Sequence, residues 1–174
     1  ASVADNDILY MAAHWEGDSQ TITPPAGWTQ LTTYTRTATA PDFAQFRFWK
    51  KASSEPSTWT FTPSVGSQWR SVLVIAYSGA SGTRDHKDVE DGTTGQTLST
   101  YDAPTVTTTA DSETVLASPD QMWSGGTPSY SSGLCSTDRG GLGGINIFEG
   151  TQATAGATGI SRYTGFGTTD YSVA

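Results

Sequence analysis

Apolar and polar residues alternate in short runs along this chain, and helical periodicity is nearly absent. Gly, Pro, Thr and Ser interrupt almost every window long enough for a helix. Two runs depart from alternation by being apolar on both faces, 7–15 (DILYMAAHW) and 71–77 (SVLVIAY). That pattern predicts central strands buried on both sides. Residues 45–51 alternate, with Phe46 and Phe48 on one face and Arg47 and Trp49 on the other. Residues 58–62 place Trp59 and Phe61 on one face and threonines opposite, which predicts a half-exposed strand.

Further strands are expected at 29–36, 104–109, 113–118, 144–148 and 158–163. The clearest turn is Thr23-Pro24-Pro25-Ala26-Gly27-Trp28. Its prolines fix φ and lack a donor, Gly27 can take positive φ, and Trp28 then drops a large ring onto what lies beneath. Two stretches resist a strand reading: 79–101 is polar and acid-rich, and 124–144 is rich in Gly and Ser. Both are expected to be long loops, the places where function or mobility concentrates. The expected fold is all-β, an antiparallel β-sandwich of jelly-roll type with two long loops, as one domain over 1–174.

Composition narrows the partners. With 174 residues the chain can bury a real core, and 15% charged residues with six tryptophans do not describe a disordered segment. A net charge of −8 opposes binding to nucleic-acid backbones or anionic membranes. The single Cys135 excludes an internal disulfide, and with only His14 and His86 a Cys- or His-built metal centre is out of reach. The apolar run 72–77 is far too short to span a bilayer. Because the chain opens at Ala1 and ends on what looks like mid-strand sequence, a module of a longer polypeptide is expected.

The ordered series of motifs carries a resemblance. Asn6-Asp7-Ile8-Leu9 is followed by Thr23-Pro-Pro-Ala-Gly-Trp28, Phe48-Trp-Lys-Lys-Ala-Ser-Ser-Glu-Pro56, Thr58-Trp-Thr-Phe-Thr62 and Ala76-Tyr-Ser-Gly79. Ala103-Pro-Thr-Val-Thr107 and Ala153-Thr-Ala-Gly-Ala-Thr158 complete it. The whole chain in this order resembles β-sandwich modules of tail, fibre and capsid-decoration proteins of tailed bacteriophages and of some bacterial surface proteins. The resemblance implies a structural or adhesive role on a virion exterior or cell surface. Other virion or surface subunits, a homo-oligomer or symmetric array, and a host-surface glycan are the partners that it implies. It transfers no binding residues. Asn6-Asp7 stands where many such modules carry Gly-Asp.

Candidate chemistry was weighed residue by residue. Gly17-Asp18-Ser19 has the form of an esterase nucleophile block, but Ser19 leads into Gln20-Thr-Ile-Thr-Pro24 instead of a helix, and no Asp-x-x-His follows near the C-terminus. Glu16 with Asp18, or Glu90 with Asp91, are the pairs that could serve as glycosidase acids, but solvated turn acids are the favoured reading. Asp85, Asp88, Glu90 and Asp91 crowd hard oxygens on one loop; a solvated acidic loop is the expected reading, calcium is the alternative, and no other cofactor is expected. Flat rings stack on sugars and anchor interfaces, so Trp15, Trp123 and Tyr130 are the expected contact residues, with Trp69, Tyr34 and Tyr101 behind them. Trp28, Trp49 and Trp59 are expected in the core. Lys50 and Lys51 read as edge-strand protection, and Cys135 as idle. The expected function is therefore a non-enzymatic module of a phage particle; the alternatives are a carbohydrate-binding module and a glycoside or ester hydrolase.

Overall fold

The computed structural model describes residues 3–17, 19–31, 33–36, 43–64, 70–79, 96–97, 100–119, 129–142, 145–164 and 171–172. All regular elements among them are strands. In chain order these are β1 (Ile8–Glu16), β2 (Ile22–Thr23), β3 (Thr29–Gln30), β4 (Tyr34–Arg36), β5 (Phe43–Lys51), β6 (Thr62–Pro63), β7 (Arg70–Tyr77), β8 (Gln96–Thr97) and β9 (Thr100–Ala103). The rest are β10 (Thr107–Thr108), β11 (Glu113–Ala117), β12 (Ser129–Ser132), β13 (Thr137–Leu142), β14 (Ile145–Gln152), β15 (Gly156–Ala157), β16 (Ser161–Thr164) and β17 (Tyr171–Ser172). They assemble into several antiparallel sheets, the largest ordered β3-β5-β1-β7 with β4 also on β5.

β1 is the axis of that sheet. It pairs along its length with β5, Ile8 opposite Lys51 through Glu16 opposite Phe43, and with β7 on its other side. Period-2 alternation then sorts its side chains. Leu9, Met11, Ala13 and Trp15 enter one core with Phe46, Phe48, Ile22 and Trp28. Tyr10 and Ala12 enter another with Ile145 and Ile147 of β14. A run apolar on both faces is thus a strand with a core on each side, as the sequence predicts. Full burial of each large side chain contributes roughly 1.5–3 kcal/mol.

β5 is more deeply enclosed than its alternation suggests, since Gln45 and Arg47 are buried along with Phe46 and Phe48. β7 departs in the opposite sense. Expected to be central, it is the terminal strand of its sheet among the described residues, and Val72 is 36% exposed. Its apolar residues pack against the two cores, Val74 on one and Leu73 and Ile75 on the other, so they serve face-to-face packing and not a second ladder.

The C-terminal half builds two further three-stranded sheets, β11-β14-β13 and β12-β16-β9. A third, smaller core of Ala103, Ala117, Cys135, Phe148 and Tyr163 joins them. Here the expected loop 124–144 is corrected: 129–132 and 137–142 are strands, paired with β16 and β14. Their Ser and Gly content hid them, because ladder hydrogen bonds need no apolar side chains. The expected strand 29–36 divides into β3 and β4, and 58–62 is regular only at Thr62, where β6 meets β2. Residues 80–95 and 120–128 lie outside the described residues, and with them Asp85, His86, Asp88, Glu90, Asp91 and Trp123; Asp18 and Trp69 lie outside too.

Candidate functional site

Local chemistry first decides where the rings go. In Pro25-Ala26-Gly27-Trp28 the Trp28 amide donates to the Pro25 carbonyl at 3.4 Å and Gly27 has φ of 86°, which glycine tolerates in a type II turn. Trp28 consequently folds inward, edge-on to Trp59 at 5.7 Å and to Phe61 at 5.3 Å between ring centroids. Glu55 organises this corner. Its carboxylate accepts from Lys50 Nζ at 2.8 Å, from the Trp59 indole at 2.8 Å and from the Ser53 amide at 3.0 Å. Burial would raise the Glu55 pKa, but Lys50, the Ser53 amide and Trp59 outweigh it and hold the carboxyl below its usual range.

That arrangement corrects the reading of the lysines. Lys50 is 11% exposed, ion-paired and 5.9 Å from the Trp28 ring centroid, on a strand flanked by β1. It is a packing residue with a charged tip, not an edge guard; Lys51 beside it is exposed. Trp15 is corrected as well. Only 3% exposed, it belongs to the first core, and Arg70 lies over its ring at 5.2 Å. As a β1 residue it follows the alternation of Leu9 and Met11 inward, which its place at a strand end concealed.

Tyr130 alone of the three expected contact rings is described at the surface, 36% exposed on β12. It stands opposite Tyr163 in the register, meets that ring edge-on at 6.5 Å, and donates its hydroxyl to the Gly133 carbonyl at 2.5 Å. Gly133 in turn lies so close to the Ile160–Ser161 backbone that a Cβ there would overlap it. Ile160 is 54% exposed. Tyr130, Gly133 and Ile160 are therefore one continuous rim.

Ser161 also lines a small cleft of about 40 Å³. Its walls are Ala103, Pro104, Val106, Val115, Leu116 and Ala117, and Arg47 closes one end. Three polar residues complete it. Ser161 Oγ accepts from the Leu134 and Cys135 amides, both at 3.1 Å. Thr158 Oγ1 accepts from the Val106 amide and donates to the Gly159 carbonyl, so its bonds are used. The Cys135 thiol faces the Val115 carbonyl at 3.5 Å; burial pushes its pKa up to about 11, against the lowering effect of Ser161 and Tyr163. A thiol held protonated is a poor nucleophile.

Other polar and ionisable groups among the described residues hold strands together. Arg47 donates to Gln45 Oε1 at 3.0 Å, Gln45 donates to the Ser118 carbonyl at 3.0 Å, and Tyr10 bonds Ser118 Oγ at 3.3 Å, a buried chain from β5 and β1 to the end of β11. Arg162 grips Asp102 with two bonds of 2.6 and 2.7 Å across β16 and β9, and Arg139 grips Glu149 across β13 and β14. Each arginine holds its partner's carboxyl below the usual range despite burial, and the Tyr77 hydroxyl further lowers Glu149. His14 is fully buried on β1 between Gln45 and Ser71 in the register, while Glu16 is half-buried at the end of the same strand. Sequence reading did not find the cleft, because its lining comes from residues 47 to 161 and no local signal marks them. Comparison with known proteins found no matching family model, no matching curated protein and no matching solved structure.

Proposed function

We propose that this chain is a non-enzymatic structural and interaction module of a phage particle, a capsid-decoration or tail-fibre component on the virion exterior. In this reading the antiparallel sheets form a sandwich of jelly-roll type that acts by rigid display, and copies assemble with one another or with neighbouring subunits in a symmetric array. One observation supports it: among the described residues, Glu55, Arg47, Asp102 and Glu149 tie loops and strands together. The ordered motif series quoted above supplies the link to phage particles. The test is to separate intact particles on a density gradient and assay each fraction for this polypeptide. Co-migration with particles is the expected result; its absence from every particle fraction, or turnover of an ester or glycoside by the purified chain, would overturn the reading.

A second reading, a carbohydrate-binding module, is favoured by the surface exposure of the Tyr130 ring, a flat face of the kind that stacks on sugars. Binding of the intact chain to immobilised glycans, lost in Tyr130→Ala with an unchanged melting temperature, would favour it over a purely structural role. It shares with the first reading an adhesive use of the same scaffold.

A further inference from the structure

We propose that residues 53–61 form a strap that lifts from the body as one unit and is latched by the Glu55 carboxylate, so that acid releases it and uncovers the aromatic face of Trp28 and Phe48. The chain is tied at Ala52, whose amide donates to the Asp7 carbonyl at 2.8 Å, and again at Thr62, where β6 meets β2. Between these ties, residues 53–61 form no regular element and make no backbone–backbone hydrogen bond to another described residue. Ser53, Ser54, Pro56, Ser57, Thr58 and Thr60 are exposed; only Glu55, Trp59 and Phe61 are partly buried. A segment with open backbone and few apolar anchors belongs to the part of a fold that opens locally at low cost.

Trp59 and Phe61 pack edge-on against Trp28, and Phe61 lies 5.6 Å from Phe48 between ring centroids. Closure has a cost at Trp28, whose buried indole N–H meets no hydrogen-bond acceptor among the described residues. Water relieves that cost once the covering rings lift. The Glu55 carboxylate opposes lifting. It accepts from the Trp59 indole and the Ser53 amide, which folds the strap on itself, and from Lys50, which fastens it to β5. Asp5, before β1, accepts from the Ser54 amide at 2.7 Å, and Asp7 from the Ala4 amide. Lys51 alternates to the opposite face of β5, and the turn 24–28 has no ionisable side chain. Burial raises the Glu55 pKa, but the bonds to Lys50, Ser53 and Trp59 outweigh it and lower the value. The latch is therefore whole above the ordinary carboxylate range and fails as pH falls through the lower folded value.

The experiment follows indole and backbone amide hydrogen exchange by NMR in the intact chain. Because the Trp28 N–H has no hydrogen bond, its protection reports cover alone. Glu55→Gln keeps the shape and removes the charge. It is expected to speed exchange of the Trp28 and Trp59 indoles at least about tenfold, with amides of the β1–β5 ladder unchanged. Asp102→Asn, which removes a paired carboxylate in the other half, should leave both indoles at the parent rate. In the parent, lowering the pH to about 3.5 should move the Trp28 and Trp59 indole signals together while β1 signals stay native, so the test holds if Glu55→Gln fails to fold. Indoles that exchange at the parent rate in Glu55→Gln would overturn the strap, as would β1 amides that accelerate by the same factor. Loss of all signals together in acid would overturn it too.

Discussion

The two halves of this protein achieve close packing by opposite means. Around β1 and β5 the space is filled by side-chain volume: Leu9, Met11, Phe46 and Phe48 are almost wholly buried, and Trp28, Trp59 and Phe61 interlock over them. Around β14 and β16 it is backbones that approach one another. A Cβ at Gly150 would overlap the Leu134 carbonyl, one at Gly133 the Ile160–Ser161 backbone, and one at Gly141 the Asn146 side chain. In the first region Gly17 and Gly27 meet only side-chain atoms, at 3.1 Å or more. Large side chains interdigitate and leave little void, whereas glycine contacts are tight only where backbones touch. The second region keeps a small cleft. Such a concavity is a by-product of packing by backbone.

That contrast can be broken in graded steps. Phe48→Ala should cost the most, about 4 kcal/mol, because the residue is fully buried among rings that cannot collapse to fill the hole. Calorimetry should then show a melting temperature lower by about 8–16 °C. Gly150→Ala comes next, at ~3 kcal/mol, since the added methyl must displace backbone and not a flexible side chain. A Gly150→Ala protein as stable as the parent would refute packing by backbone approach.

Electrostatic changes rank lower. Glu55→Gln leaves the Lys50 ammonium beside a neutral amide in a corner that is 6–11% exposed, and urea titration should report a loss of ~2 kcal/mol. The sign of the pH dependence follows from the three depressed carboxyls, Glu55, Asp102 and Glu149. A carboxyl with a lower pKa folded than unfolded binds fewer protons in the native state, so its stabilisation is whole above the unfolded value, about 4, and disappears as pH falls through the folded one. Melting temperature should therefore be flat from neutral pH to about 5 and drop below 4, and Glu149→Gln should shallow that drop. Arg162→Ala should matter least. Its ion pair is about half exposed, and exposed pairs contribute about 0–1 kcal/mol, so chemical denaturation should barely register it.

Legibility tracks the same division. β1, β5, β7, β11 and the start of β14 stand close to where the apolar pattern puts them, because those strands bury side chains and the burial writes itself into alternation. β12 and β13 were read as loop. Ser129-Tyr-Ser-Ser132 and Thr137-Asp-Arg-Gly-Gly-Leu142 carry no such pattern, since their pairing runs through backbone bonds and a register shift in each ladder. Of the candidate site, only Tyr130 was legible. Its neighbour Ile160, and separately the cleft lined by Val106, Val115 and Ser161, are assembled by ladders that join residues 30 or more positions apart.

The amino-acid order by itself determined an all-β chain, the double-sided burial of β1, the inward plug of Trp28 and a net charge of −8. These follow from periodicity, turn stereochemistry and charge, which act over a few residues or as a simple sum. Tertiary structure alone decided that β7 is the outer strand of its sheet among the described residues, that Trp15 and Lys50 are packed inward, and that a cleft opens next to Ser161. Each of those depends on which strands become neighbours, and neighbour choice is a long-range balance of burial and backbone pairing that no local window contains.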